Sequence, residues 1–303
     1  MMKYALTTIW MITAAVLGNP AIAQVDGPRV VVSVQPIHAL VSGIMARVAI
    51  PDLLVRRGAS PYDFRLRASQ RRMLAEADLV IWVGGGLDDF MIEAIAELPP
   101  TVRVIKIIDL DLPVKLPPRT TGLWRKDTPA AGRIDPHVWL DIENARAIAV
   151  AVARALARYD RLNKIRYGRN REIMGSRLGG LHRQLRLALD RFGDLPFVVQ
   201  HDAFQYLERR YGLESIGAVM TGTSAEAVPP ADHIEELVEE AEAVAAGCVM
   251  AQAEFDPAIA DAFAATAGLD VISMDPLFAD ATGLDAYFSM MRALPKAVAA
   301  CAR

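Results

Sequence analysis

Cysteine is nearly absent from this sequence: Cys248 and Cys301 are the only two, and neither has a cysteine or histidine close by. A metal site built on that pair is therefore not expected. Charge of one sign is also lacking. The formal net charge is −3 over 303 residues, which leaves no basic footprint for nucleic acid. The arginines between Arg161 and Arg191 are spaced along a helical region and read as a solvated face. The apolar stretch from Tyr4 to Leu17 is too short for a comfortable membrane span. Gly84-Gly85-Gly86 lacks both the Gly-Lys-Ser/Thr ending and the GxGxxG spacing of nucleotide loops. It reads as a tight turn from a strand into a helix.

What is present begins with an address. Lys3, the apolar stretch and the small-x-small run Ala21-Ile22-Ala23 make a cleavable signal peptide over residues 1–23. Cleavage after Ala23 starts the mature chain at Gln24 and, with Lys3 gone, takes the formal charge to −4. No cysteine stands near that point, so a soluble periplasmic protein is expected rather than a lipid-anchored one. In an oxidising compartment Cys248 and Cys301 have two readings: a bridge that pins the C-terminal end, or two buried thiols.

Past the leader the chain alternates strands and helices. Val30 to Val34 is a run of valines broken only by Ser33, suited to a parallel strand covered on both faces. Further strands are expected at Leu53–Val55, Leu79–Val83 and Val102–Ile108. Helical territory follows from Asn144 to Arg191, interrupted around Tyr159-Asp160 and at Gly179-Gly180. Strands resume at Phe197–Val199, Ser215–Val219, Cys248–Met250 and Val271–Met274. The fold class is α/β: two α/β lobes over 24–143 and 194–303, each a mainly parallel sheet with flanking helices. Connector helices over 144–193 join them, and a helix of some 25 residues would reach about 38 Å across both.

Ligands of open α/β sheets gather just beyond the carboxyl ends of the strands. Three such ends carry suggestive residues: His137 in Asp135-Pro136-His137-Val138-Trp139-Leu140-Asp141, His201 in Gln200-His201-Asp202, and Asp275 in Met274-Asp275-Pro276. A lone histidine in such a place is more simply explained by packing under its own helix. Two imidazoles and a carboxylate together suit a borderline metal such as zinc in a cleft between the lobes. The same three ligands with a water in the fourth place describe a catalytic zinc, with Glu254 as base, so a zinc hydrolase is the rival.

The residues also carry a resemblance that spans essentially the whole mature chain. Gly58-Ala59-Ser60-Pro61, Ala75-Glu76-Ala77-Asp78-Leu79-Val80 with Trp82-Val83-Gly84, the Asp135–Asp141 run, His201-Asp202-Ala203-Phe204-Gln205-Tyr206 and Asp275-Pro276-Leu277 are its landmarks. In these the chain resembles the solute-binding proteins of zinc and manganese ABC importers, in particular the ZnuA-type zinc branch. The resemblance implies capture of a divalent metal and delivery to a membrane permease, by a monomer that is neither an enzyme nor membrane-embedded. It implies His137, His201 and Asp275 as metal ligands, zinc over manganese or iron because position 201 is a histidine, and a Cys248–Cys301 disulfide.

Two departures stand out. The family's first histidine falls at Tyr62, and the loop Thr120-Thr121-Gly122-Leu123-Trp124-Arg125-Lys126 contains no histidine, so a second metal site there is not expected. A phenol is a poor zinc donor until deprotonated, which places Tyr62 at the rim of the site. His38, one turn into the first helix, is the candidate to replace the missing imidazole. His182 and His233 read as surface residues. A divergent member acting as a metal chaperone or sensor is the remaining alternative.

Overall fold

The computed structural model describes residues 27–127, 130, 132–221, 229–277 and 282–302. The expected leader lies outside them. The first lobe comprises β1 (Val30–Val32), α1 (Gln35–Ile44), β2 (Asp52–Leu53), α2 (Ala68–Ala75), β3 (Leu79–Trp82), α3 (Met91–Ala96) and β4 (Arg103–Lys106). Its four strands are parallel, in the order β2-β1-β3-β4. All three valines of β1 are buried, as both faces of a helix-covered strand require. After β3, Gly84, Gly85 and Gly86 take φ of +85°, +72° and +96°. The Asp88 carboxylate closes that turn by accepting the Val83 and Gly84 amides at 2.8 and 2.7 Å.

The second lobe repeats the plan with β5 (Pro196–Val199), α6 (Gln205–Tyr211), β6 (Glu214–Ala218), α7 (Ala231–Ala243), β7 (Cys248–Ala251), α8 (Pro257–Ala267) and β8 (Asp270–Ser273). Its parallel order is β6-β5-β7-β8. In each sheet the winding reverses beside the first strand, which opens a crevice above the carboxyl ends there.

Between the lobes run α4 (Ile142–Tyr159) and α5 (Lys164–Leu189). The break between them is capped by Asp160, which accepts the Asn163 amide and the Tyr167 hydroxyl. The expected interruption at Gly179-Gly180 does not occur. Leu178, Leu181, Leu185 and Leu189 are buried along one face of α5, and their burial outweighs the ~1 kcal/mol that each glycine costs. At 26 residues, α5 is about 39 Å long.

The last helix, α9 (Leu284–Cys301), packs on α1 and α5 as well as on β7 and β8. One core therefore runs through both lobes, from Val32 and Leu40 to Phe197 and Leu294. Cys248 and Cys301 are bridged across a Cα–Cα distance of 5.1 Å, tying the start of β7 to the end of α9. Over their 53-residue separation the chain-entropy estimate is about 4 kcal/mol. Among the described residues no helix is long and apolar enough to cross a membrane.

Candidate metal centre

The Asp135–Asp141 run is held from several sides. Trp139 is fully buried, donates its indole N–H to the Pro276 carbonyl at 3.0 Å, and accepts the Tyr287 hydroxyl on its own carbonyl at 2.7 Å. Asp141 caps α4 through the Glu143 amide at 2.8 Å and takes the Arg210 guanidinium at 2.9 Å. Within this frame the Asp135 carboxylate accepts both the His137 amide at 2.9 Å and the ring Nδ1 at 2.7 Å. A carboxylate only accepts, so Nδ1 carries the proton and Nε2 is presented as a lone pair. That lone pair is met by the Tyr62 hydroxyl, which donates to it across 2.9 Å.

His201, just past β5, brings the second imidazole. Its ring centroid lies 5.5 Å from that of His137, 5.4 Å from Tyr62 and 4.9 Å from Phe255. Its Nδ1 is buried without a hydrogen-bond partner. Burial, reinforced by His137, holds its pKa well below the ordinary 6.5, so the ring is neutral and ready to ligate. Burial, with the charge of Glu254 behind it, pushes the Tyr62 phenol well above 10. Tyr62 is therefore a neutral hydroxyl. Tyr62, Gly85, Arg119, Asp135, His137 and His201 share the lining of one cavity of about 280 Å³.

The other expected ligands are placed differently. Asp275, past β8, accepts the Leu277 amide at 2.9 Å and borders a separate cavity of about 220 Å³ with Arg57 and Ala253. Among the described residues no three His, Cys, Asp or Glu side chains already converge on one point. His38 does not line the histidine cavity. Its Nε2 is hydrogen-bonded to the Pro51 carbonyl at 2.8 Å, and burial lowers its pKa. Nor are His182 and His233 simple surface residues: His182 lies against Tyr211, with Nδ1 3.3 Å from its hydroxyl, and His233 Nε2 meets the Ala218 carbonyl at 2.8 Å. Both imidazoles are drawn in because an adjacent loop or ring covers their apolar faces.

Sequence reasoning passed over Arg119 and gave Glu254 only the role of base in the hydrolase alternative. Arg119, on the histidine-free loop, binds Asp202 at 2.9 Å and Glu208 at 3.0 Å. Glu254, in the turn after β7, keeps a buried Oε2 with no hydrogen-bond partner. Burial, then the neighbouring Asp275 charge, raises its pKa to about 8. The strand-end rule that singled out His201 and Asp275 applies equally to Glu254.

Two wound α/β lobes that bring two buried imidazoles to one cavity define a bilobal metal-binding protein. The family model described as "Zinc-uptake complex component A periplasmic", ZnuA, matches residues 30–301, and the chain belongs to that family. A high-affinity zinc uptake system protein ZnuA of Paracoccus denitrificans is 29% identical over 96% of this chain and 97% of its own. The Brucella abortus protein of the same name is 27% identical over 90% and 91%. A crystal structure of ZnuA superposes with a TM-score of 0.78 at 23% identity, over 90% of this chain and 98% of that one. The protein is thus the periplasmic zinc-binding component of a zinc uptake system that works with an ABC transporter permease. It is a binding protein and not an enzyme, so the hydrolase alternative falls away.

Proposed function

We propose that the mature chain begins at Gln24, acts as a monomer, and carries one zinc ion in the cleft between its lobes to the permease. His137 and His201 supply the nitrogen ligands, and Asp275 is drawn in as a carboxylate ligand when the ion binds. The observation that carries this reading is the Asp135–His137 pair, which holds Nδ1 so that Nε2 faces the cleft beside the His201 imidazole. Tyr62 is not a ligand on this reading. It is a neutral phenol that occupies Nε2 of His137 until the metal displaces it. The lobe rims around the cleft dock on the permease.

The test is zinc titration of protein purified without chelator, joined to metal analysis. One zinc per chain is expected, with binding lost in His137→Ala and retained in His182→Ala. No zinc in the parent protein, or equal losses in both variants, overturns the assignment.

A further inference from the structure

Glu254 sits where the second sheet places its strand ends most favourably for a ligand. The winding of that sheet reverses between β5 and β7, and the crevice of such a sheet opens at the reversal. His201 follows β5 and Glu254 follows β7, so the two flank it. Asp275 follows β8, one strand further on. Neighbouring strands lie about 4.8 Å apart, so the ends of β5 and β8 are separated by roughly 10 Å. An ion shared by His201 and Asp275 would therefore rest above the end of β7, against Glu254.

The turn that carries Glu254 is braced to the His201 segment. Gln200, the residue before His201, accepts the Gln252 amide on its side-chain oxygen at 3.0 Å and donates to the Asp256 carbonyl at 2.8 Å. These two bonds bracket Glu254 and fix it relative to the imidazole. Phe255 closes the apolar side, stacked on Tyr62 at 5.6 Å and 4.9 Å from the His201 ring.

Hydrogen bonding is incomplete beside the crevice. Glu254 Oε2 and His201 Nδ1 are both buried and both without partners, as is Gln252 Oε1 between them in the chain order of the site. Buried polar atoms of that kind call for an explanation, an ion among them. The Asp275 charge also bears on Glu254, and a divalent cation between two carboxylates neutralises both.

We propose that Glu254 is a protein ligand to the zinc, completing with His137, His201 and Asp275 a four-coordinate site in which Tyr62 supplies no donor. Two nitrogens and two carboxylate oxygens satisfy the tetrahedral preference of zinc. The inference rests on the cleft being the zinc site. For the site to close, the Tyr62 hydroxyl leaves His137 Nε2 and the carboxylates swing towards the imidazoles.

The experiment is zinc affinity by chelator competition for the full mature chain and for Glu254→Gln, Asp275→Asn and the exposed control Glu242→Gln, with cobalt(II) spectra of each. Glu254→Gln is expected to weaken zinc about tenfold or more and to lower the intensity of the tetrahedral cobalt bands, while Glu242→Gln matches the parent. Glu254→Asp, which withdraws the carboxylate by one methylene, is expected to weaken zinc likewise and stands in if Glu254→Gln does not fold. Parent-like affinity and cobalt spectrum in either folded variant overturn the proposal. That outcome leaves the cleft reading intact if His137→Ala still loses zinc; a parent that binds no zinc refutes both.

Discussion

The two walls of the cleft differ in how completely their polar groups are bonded. On one wall Arg119 binds Asp202 and Glu208, and its guanidinium lies over the Trp124 ring at 3.9 Å. The Trp124 indole donates to Ser215 at 2.8 Å, and Ser215 in turn donates to Glu208 at 2.8 Å. Leu123 pairs with Gly217 on the outer edge of β6, so the loop of the first lobe is stitched to the second. On the other wall His201 Nδ1 and Glu254 Oε2 have no partners. Buried groups that are fully bonded hold a shape, whereas unbonded ones carry a cost that a ligand relieves. The Arg119 wall is therefore read as the strap between lobes, and the Glu254 wall as the receiving surface.

Removing the strap's cation gives the largest expected effect. Arg119→Ala leaves Asp202 and Glu208 buried without their countercharge, and breaking such a group costs about 3 kcal/mol of folding stability. Denaturant unfolding of the metal-free protein measures it. A loss no greater than that of an exposed pair such as Arg71–Glu97 would erase the distinction between the walls.

Next comes the receiving side. His201→Ala is expected to weaken zinc about 100-fold, about 2.7 kcal/mol, with little loss of stability, since one ring nitrogen is already unbonded. His233→Ala should stay within about threefold of the parent in zinc affinity while losing some stability, because its Nε2 is bonded. Isothermal titration and thermal unfolding of the same samples separate the two responses.

Tyr62 sharpens the contrast at smaller scale. Its hydroxyl occupies the His137 nitrogen proposed to take the zinc, and a hydrogen bond of this kind is worth about 1 kcal/mol. Tyr62→Phe is therefore expected to tighten zinc by a factor of about five, and Tyr62→His, which adds an imidazole, to tighten it further. A weaker Tyr62→Phe, with phenolate absorption appearing when metal is added to the parent, would make Tyr62 a ligand.

The remaining effect is on pH. Glu254 ionises near 8 in the folded, metal-free chain against 4.5 for an ordinary glutamate. Between those values the folded state holds a proton that the unfolded state has released, so stability falls as pH rises. The melting temperature of metal-free protein should decline over that window more steeply in the parent than in Glu254→Gln. Identical slopes would mean that Glu254 meets no uncompensated burial.

Much of the architecture was legible along the chain. The Val30–Val32 run announced a doubly covered parallel strand, and the alternation around a long helical region announced two lobes, because burial on both faces is written in consecutive residues. His201 was legible for a related reason, since it stands just past β5, whereas His137 was expected at a strand end and instead precedes the short helical turn Val138–Leu140. Gly179-Gly180 misled, since glycine propensity is local and the buried leucine stripe of α5 overrides it.

The order of strands and helices, the two imidazoles and the cysteines available for a bridge are properties of neighbours in sequence, and the sequence determined them unaided. Which atoms meet was decided only by the tertiary structure. The Tyr62 hydroxyl reaches His137 across 75 residues, and Arg119 finds Asp202 and Glu208 across 83 and 89. The unbonded state of Glu254 Oε2 is likewise invisible in the chain. Whether a polar group is satisfied depends on every group folded around it, and those arrive from distant segments only when the core that joins both lobes has closed.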